Sequence, residues 1–321
     1  MKIAKVVRDL HAECDALYQR LAKDVQERLK PRVEARRWFF ISRVKQLESY
    51  ALKLETGRVE NPRRPEDFFA CTIVVNKLSE IEDAERLVYS IYGALERRPP
   101  IDHETHKASS SFAFDDLRLY VVQPESTTGK DADLDGLPFE VQIKTILQHA
   151  WSMATHDLIY KTDSVSWARE RIAFQVKAML EHAEIAIAEA NRLADTPAVA
   201  KRDKSTIETL KLIEEIGRIW TDDNLPADRK RLAEAIRQAL KVCDLTADSF
   251  SDIIAAERRR IGLLPANLSP YAFTIQALAN NPDANFQRKF VRSHVKTTIV
   301  IYDGMELPEW MSHHHPRILR L

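Results

Sequence analysis

Glu140, Gln142 and Lys144 stand two residues apart in the stretch Leu137–Lys161, LPFEVQIKTILQHAWSMATHDLIYK, and alternate with Phe139, Val141 and Ile143. A period of two sends one set to one face of a β-strand and the other set to the opposite face. The apolar face packs, and the polar face presents a carboxylate, an amide and an ammonium in one direction, a combination suited to metal-bound phosphates. The pattern predicts a strand over Pro138–Thr145 and a helix from near Thr145, with His149 and His156 two turns apart on one helix face. A second acid, Asp67, opens the strand predicted from about Phe68 to Val75 in PEDFFACTIVV. Facing Glu140 from a neighbouring strand, it would complete the carboxylate pair that a Mg²⁺ site for phosphoryl transfer needs, because Mg²⁺ takes few protein oxygens and leaves the rest to phosphate and water. Arg43, Lys45, Ser49 and Lys53 come earlier, on a predicted helix capped by Ser42. A basic row at that spacing reads either as a phosphate-binding edge or as a solvated helix face.

Other elements must hold these groups. Ile3–Leu29 has apolar residues every three or four positions and reads as an amphipathic helix that Pro31 ends. Val33–Ile41 reads as a strand, Leu78–Arg98 as one helix capped by Ser79, and Leu117–Val122 as a further strand. Trp167–Ala194 reads as one long amphipathic helix, and Thr196–Lys204 as a linker. Beyond it, helices are expected at Ser205–Trp220, Pro226–Val242, Ser249–Ile261 and Tyr271–Ala279, with a late strand at Val295–Tyr302. The clusters Arg258–Arg260 and Arg288–Lys296 read as solvated basic faces with RNA or a partner as the alternative, and His313–His315 as a mobile tail. The expected division is 1–196 for an α/β domain with its N-terminal helix and 197–321 for a mainly helical domain.

Composition sets the bounds. A chain of 321 residues, 45% hydrophobic, can bury two cores. Lys+Arg and Asp+Glu balance at 48 each, so no field of one sign points to nucleic acid. Cys14, Cys71 and Cys243 are scattered, odd in number and outside any CxxC pair, which reads as reduced thiols rather than a disulfide frame or a zinc site. With only 7 glycines there is no GxGxxG or Walker loop. No signal-like segment and no apolar run of about eighteen residues occurs, so a soluble, cytoplasmic protein without a membrane partner is expected.

The motifs EVQIKT, HAW, His156 and YK resemble the signature of the RelA/SpoT family of (p)ppGpp synthetases, and Arg43, Lys45, Ser49 and Lys53 resemble its ATP-binding segment. The resemblance covers roughly Val33–Lys161. It implies an α/β nucleotidyltransferase fold with a mixed sheet flanked by helices. The implied activity moves the β,γ-diphosphate of ATP to a ribose 3′-hydroxyl, with GDP or GTP as the default acceptor. It also implies Mg²⁺ on Asp67 and Glu140, Glu140 as general base, ATP phosphates on Arg43, Lys45 and Lys53, and Gln142, Lys144 and His156 orienting the acceptor or bracing the strand. His156-Asp157 is also an HD dipeptide, but His156 is read here as part of the synthetase signature. The chain departs from the family just after Asp67 and again in the acceptor loop. Ala70 and Thr72 replace a Gly and an Arg, Phe114 stands for a base-stacking Tyr, Arg118 stands for a His, and Lys107 stands in for a loop lysine. Those departures leave open an adenine nucleotide or a tRNA 3′ end as acceptor, as in toxin-type relatives. They also leave open a module that senses nucleotides without turnover. The C-terminal region is expected to be regulatory or to bind a tRNA or protein partner, and homo-oligomers stay open.

Overall fold

Strand β2 (Phe69–Val75) and strand β5 (Pro138–Thr145) lie side by side and parallel, with Ala70 opposite Glu140, Thr72 opposite Gln142 and Val74 opposite Lys144. They are the middle of a five-stranded sheet in the computed structural model, which describes residues 2–58, 61–101, 117–125, 132–159, 166–262, 267–293, 298–313 and 315–321, with backbone alone for 156–159. The sheet order is β1-β2-β5-β4-β3, where β1 is Phe39–Val44, β3 is Gly93–Arg98 and β4 is Leu117–Val122. Every pairing except β2 with β5 is antiparallel. A mixed sheet flanked by helices is therefore the architecture of this unit, as the alternating strands imply.

The alternation in β2, β4 and β5 sorts the side chains. Phe69, Cys71, Ile73, Leu119, Val121, Phe139, Val141 and Ile143 enter one core with residues of helix α1 (Lys5–Glu34) and helix α3 (Ile81–Tyr89). Phe69, Ile73, Phe139 and Val141 are fully buried there, each contributing about 1.5–3 kcal/mol of apolar burial. The opposite face carries Thr72, Arg118, Tyr120, Glu140, Gln142 and Lys144 among smaller apolar residues such as Ala70 and Val74. Helix α2 (Leu47–Glu55) docks Tyr50 and Ala51 into the same core, and the Tyr50 hydroxyl donates to the Pro62 carbonyl at 2.7 Å.

Helix α4 (Ile146–Ile159) starts with no loop after β5. Thr145 Oγ1 accepts from the Gln148 amide at 3.2 Å and Gln148 Oε1 accepts from the Thr145 amide at 2.9 Å, a reciprocal cap that satisfies two donors at the helix opening. Helix α5 (Trp167–Ala188) packs on α4, taking a hydrogen bond from Trp151 Nε1 at the Ala173 carbonyl and placing Lys177 over the Trp151 ring.

The structure corrects several local expectations. Pro31 lies inside α1, which continues to Glu34, because Leu29 and Val33 are both fully buried and their packing outweighs the one lost N–H bond. The strand expected at Val33–Ile41 consequently starts only at Phe39, after Arg37 turns the chain with φ 60°. Ser42 sits within β1 and caps no helix; α2 begins after Gln46. The single helix expected over Leu78–Arg98 is a short 3-10 turn at Leu78–Glu80, then α3, then edge strand β3. Ser79 gives no side-chain cap, and Leu95 lies exposed on β3. Gly93 makes the change of direction: a Cβ there would stand 2.9 Å from Val122 Cγ2. The long helix ends at Ala188, and α6 (Ala190–Ala194) follows.

Contacts divide the chain into Met1–Val199 and Ala200–Leu321. The second unit is mainly helical: α7 (Lys204–Ile219), α8 (Arg229–Val242), α9 (Phe250–Ile261), α10 (Pro270–Asn280) and α11 (Phe286–Arg292). Its core centres on Phe250, Phe273, Phe286 and Phe290. α11 was hidden by its basic composition, and the late strand is only β6 (Ile299–Ile301), paired in parallel with β7 (Ile318–Arg320). That pairing, with the His315 ring 5.2 Å from the Phe290 ring, removes the expected mobile tail. Arg258, Arg259 and Arg260 are exposed, as expected, and Arg260 also bonds buried Glu257 and exposed Glu306.

Candidate active site

The register lines up the polar face in rows. Arg43, Ala70, Glu140, Tyr120 and Glu96 are successive partners across β1, β2, β5, β4 and β3, and Ile41, Thr72, Gln142, Arg118 and Arg98 form the next row. Neighbouring strands are about 4.8 Å apart, so these side chains share one surface. The alternation that buries Phe139 and Val141 is what directs Glu140 and Gln142 there.

Asp67 lies on the turn leading into β2, three residues before the partner of Glu140. Its Oδ2 accepts from Lys45 Nζ and from Lys53 Nζ, each at 2.5 Å. Burial alone would raise this carboxyl, but the hydrogen bonds from Lys45 and then Lys53 more than offset it and hold the pKa below its ordinary value. Burial lowers the Lys45 ammonium, and Asp67 offsets only part of that. His11 on α1 braces the segment by donating from Nε2 to the Lys45 carbonyl at 3.0 Å.

Glu140 is 5% exposed. Its Oε1 accepts from Gln142 Nε2 at 2.9 Å and stands 3.8 Å from Arg118 Nε. Below it on the core face lies Cys71, whose thiol is pushed up by burial first and by the Glu140 charge second. Beside Glu140, the Tyr120 hydroxyl is raised by burial and then by Glu140, with Asp67 acting in the same direction. One phenol thus feels both carboxylates.

A cleft of about 420 Å³ opens at the Asp67 end of this face, within the size range of small-ligand sites. Lys53, Arg58, Arg64 and Arg98 line it together with Asp67 and Tyr120. Arg98 lies 4.5 Å above the Tyr120 ring, and Glu96 holds it through two hydrogen bonds of 2.6 Å.

The expected site residues Arg43, Lys45, Lys53, Asp67, Glu140, Gln142 and Lys144 are thus on or beside one sheet face, although Arg43 belongs to a strand and not to the opening of a helix. His149 follows on α4, its imidazole lowered by burial and then by Lys144. Lys107, Phe114, Tyr160 and Lys161 lie outside the described residues, as does the side chain of His156. Sequence reasoning did not assign Arg58, Arg64, Arg98 or Tyr120 to the site. The alternation Leu117, Leu119, Val121 carried a signal for Tyr120, because it sends residues 118 and 120 to the face opposite the core. Arg98 had none, since its strand was hidden in an apparent helix.

Whether the site fits Mg²⁺ turns on the oxygens that remain. Asp67 Oδ1 and Glu140 Oε2 make no hydrogen bond among the described residues, and both are hard carboxylate donors of the kind Mg²⁺ takes. Among the described residues no group of three or more His, Cys, Asp or Glu side chains forms a metal cage. Among the described residues no helix is long and apolar enough to cross a membrane.

No curated protein sequence matches the chain. Among solved structures it is similar to the small alarmone synthetase 1 from Bacillus subtilis, at 16% identity and TM-score 0.46 over 56% of this chain and 94% of that one. A GTP pyrophosphokinase family protein from Streptococcus pneumoniae is similar at 16% identity and TM-score 0.39, over 57% and 92%. The complex between the Type VI effector Tas1 and its immunity protein contains a chain similar at 10% identity and TM-score 0.34, over 57% of this chain and all of that one. The family model described as the region found in RelA / SpoT proteins matches residues 42–165, the segment that supplies β1, β2, β5 and the acids and lysines of the polar face. Residues 42–165 of this chain are a RelA/SpoT region.

Proposed function

We propose that the chain is a nucleotide pyrophosphokinase that transfers the β,γ-diphosphate of ATP to the 3′-hydroxyl of a nucleotide ribose. The observation that carries this reading is the Asp67–Lys45–Lys53 cluster at the turn into β2 together with Glu140 on the next strand, all inside the segment that matches the RelA/SpoT model. In the step itself the 3′-oxygen attacks the β-phosphorus, the bond from that phosphorus to the α-bridging oxygen breaks, AMP leaves, and the 3′-hydroxyl proton passes to Glu140. Gln142 fixes the Glu140 carboxylate through Oε1, leaving Oε2 toward the open face for the proton. Lys45 and Lys53 exchange Asp67 for the phosphate chain when donor binds, which adds positive charge where the transferred group carries its negative charge. Asp67 and Glu140 would hold Mg²⁺, which when bound neutralises phosphate charge and orients the chain. Arg43 adds a further cation from β1.

GDP or GTP is the acceptor proposed first, giving (p)ppGpp; an adenine nucleotide or a tRNA 3′ end is the alternative, and residues 102–116, where Lys107 and Phe114 would decide it, lie outside the described residues. The unit Ala200–Leu321 is proposed as the regulatory or partner-binding part of a cytoplasmic enzyme. One observation favours a second reading, a nucleotide-binding module without turnover: Arg118 Nε stands 3.8 Å from Glu140 Oε1, beside the carboxylate that would have to take the proton.

The experiment is incubation of wild type and Glu140→Gln with γ-labelled ATP, Mg²⁺ and separate pools of GDP, GTP, ADP and tRNA. Wild type labels one acceptor, and Glu140→Gln keeps its circular dichroism and labels none. Label transferred by Glu140→Gln removes Glu140 as base. No transfer by wild type to any pool favours the binding module.

A further inference from the structure

Tyr120 is 6% exposed, yet it lines the cleft at the Asp67 end of the polar face. Its hydroxyl accepts from Arg98 Nη1 at 3.3 Å and donates to no acceptor among the described residues. A buried hydroxyl whose lone pair is engaged and whose proton is unspent is a donor waiting for an oxygen. Arg98 cannot drift from this position. It stacks on the ring, and Glu96, the β3 register partner of Tyr120, grips it with two bonds. Arg58 and Arg64 line the same cleft, and their guanidinium groups make no hydrogen bond or ion pair among the described residues. Leu95, Val122 and Pro138 supply the apolar remainder. A donor hydroxyl in one cleft with two open guanidinium groups suits a chain of phosphate oxygens, because arginine offers paired N–H donors in the spacing of such oxygens.

We infer that Tyr120 is a substrate-contacting residue: its hydroxyl, set by Arg98 and Glu96, donates to a phosphate oxygen of a nucleotide polyphosphate chain that Arg58 and Arg64 hold in the same cleft. The inference rests on the transfer reading for the name of the substrate, but not for the binding itself. The chain belongs to the donor triphosphate or to the 5′-phosphates of the acceptor, and both present the same oxygens.

Isothermal titration of the full chain with inorganic tripolyphosphate tests the contact without turnover. Tyr120→Phe keeps the ring and its stack on Arg98 and is expected to weaken binding about tenfold, the loss of one hydrogen bond to a charged group. Arg64→Ala, at an exposed position, weakens it by a similar factor without risk to folding. Repeating the Tyr120→Phe titration with ATP and with GDP assigns the chain: a tenfold loss with ATP marks the donor, and one with GDP marks the acceptor. Unchanged tripolyphosphate affinity in Tyr120→Phe, or in Arg64→Ala should Tyr120→Phe fail to fold, overturns the inference. A Tyr120-dependent affinity in a chain that transfers no label keeps this site and removes the transferase reading, and transfer with Tyr120-independent binding does the reverse.

Discussion

Replacing Asp67 by Asn separates two effects that the Lys45–Asp67–Lys53 cluster joins. The side chains of Lys45 and Asp67 are 13% and 21% exposed, so their bond belongs with shielded charged pairs, each about 1.5–3 kcal/mol. Lys53, at 33%, stands nearer the surface and is discounted to about 0–1 kcal/mol. The amide oxygen of Asn still accepts one hydrogen bond, which returns about 1 kcal/mol. The net loss is about 2 kcal/mol, and for a unit of this size a lowering of its calorimetric midpoint by about 4–8 °C. Polyphosphate binding should move the other way. With the carboxylate gone, Lys45 and Lys53 lose their shared anion, and metal-free tripolyphosphate should bind about tenfold more tightly, since neither ammonium has to be taken from Asp67. Scanning calorimetry reads the first effect and isothermal titration the second. An unchanged midpoint, or weaker metal-free binding, refutes the idea that Asp67 holds these lysines in reserve.

Gly93→Ala should destabilise the first unit by about 1–3 kcal/mol, because its Cβ would press on Val122 Cγ2 at 2.9 Å where β3 meets β4; the denaturant midpoint checks this, and an unshifted midpoint shows that the edge strand yields freely. The carboxyls of Asp67 and Glu257 both sit below their ordinary values of 3.8 and 4.5, burial being more than offset in each by bonds from basic and amide side chains. Depressed carboxyls stabilise above the unfolded value and lose that contribution as pH falls through the folded one. Thermal midpoints should therefore hold from pH 7 to about 5 and fall below about 4.5, less steeply in Glu257→Gln than in wild type.

The part of the site that sequence made legible is the part where burial and chemistry alternate on one strand. Phe139, Val141 and Ile143 must pack, so Glu140, Gln142 and Lys144 had only one face left. The same logic placed Leu117, Leu119 and Val121. Legibility failed where local pattern and tertiary context disagree. Leu95 continued the helical spacing of α3 by coincidence, although the helix stops at Tyr89 and residues from Gly93 to Arg98 form the edge strand of the sheet. Pro31 looked like a stop, but buried Val33 carried α1 onward. The pairing of Arg98 with Tyr120 spans 22 positions and depends on strand register, which one sequence does not display.

The junction between β5 and α4 deserves a last thought, because no residue separates the strand that bears Glu140 from the helix that begins at Ile146. Thr145 is spoken for from both sides: it is locked to Gln148, and its hydroxyl faces the Glu184 carboxyl on α5. Length is therefore frozen at this hinge point. One inserted residue would rotate the whole of α4 by about 100° and swing His149 and Trp151 away from their places.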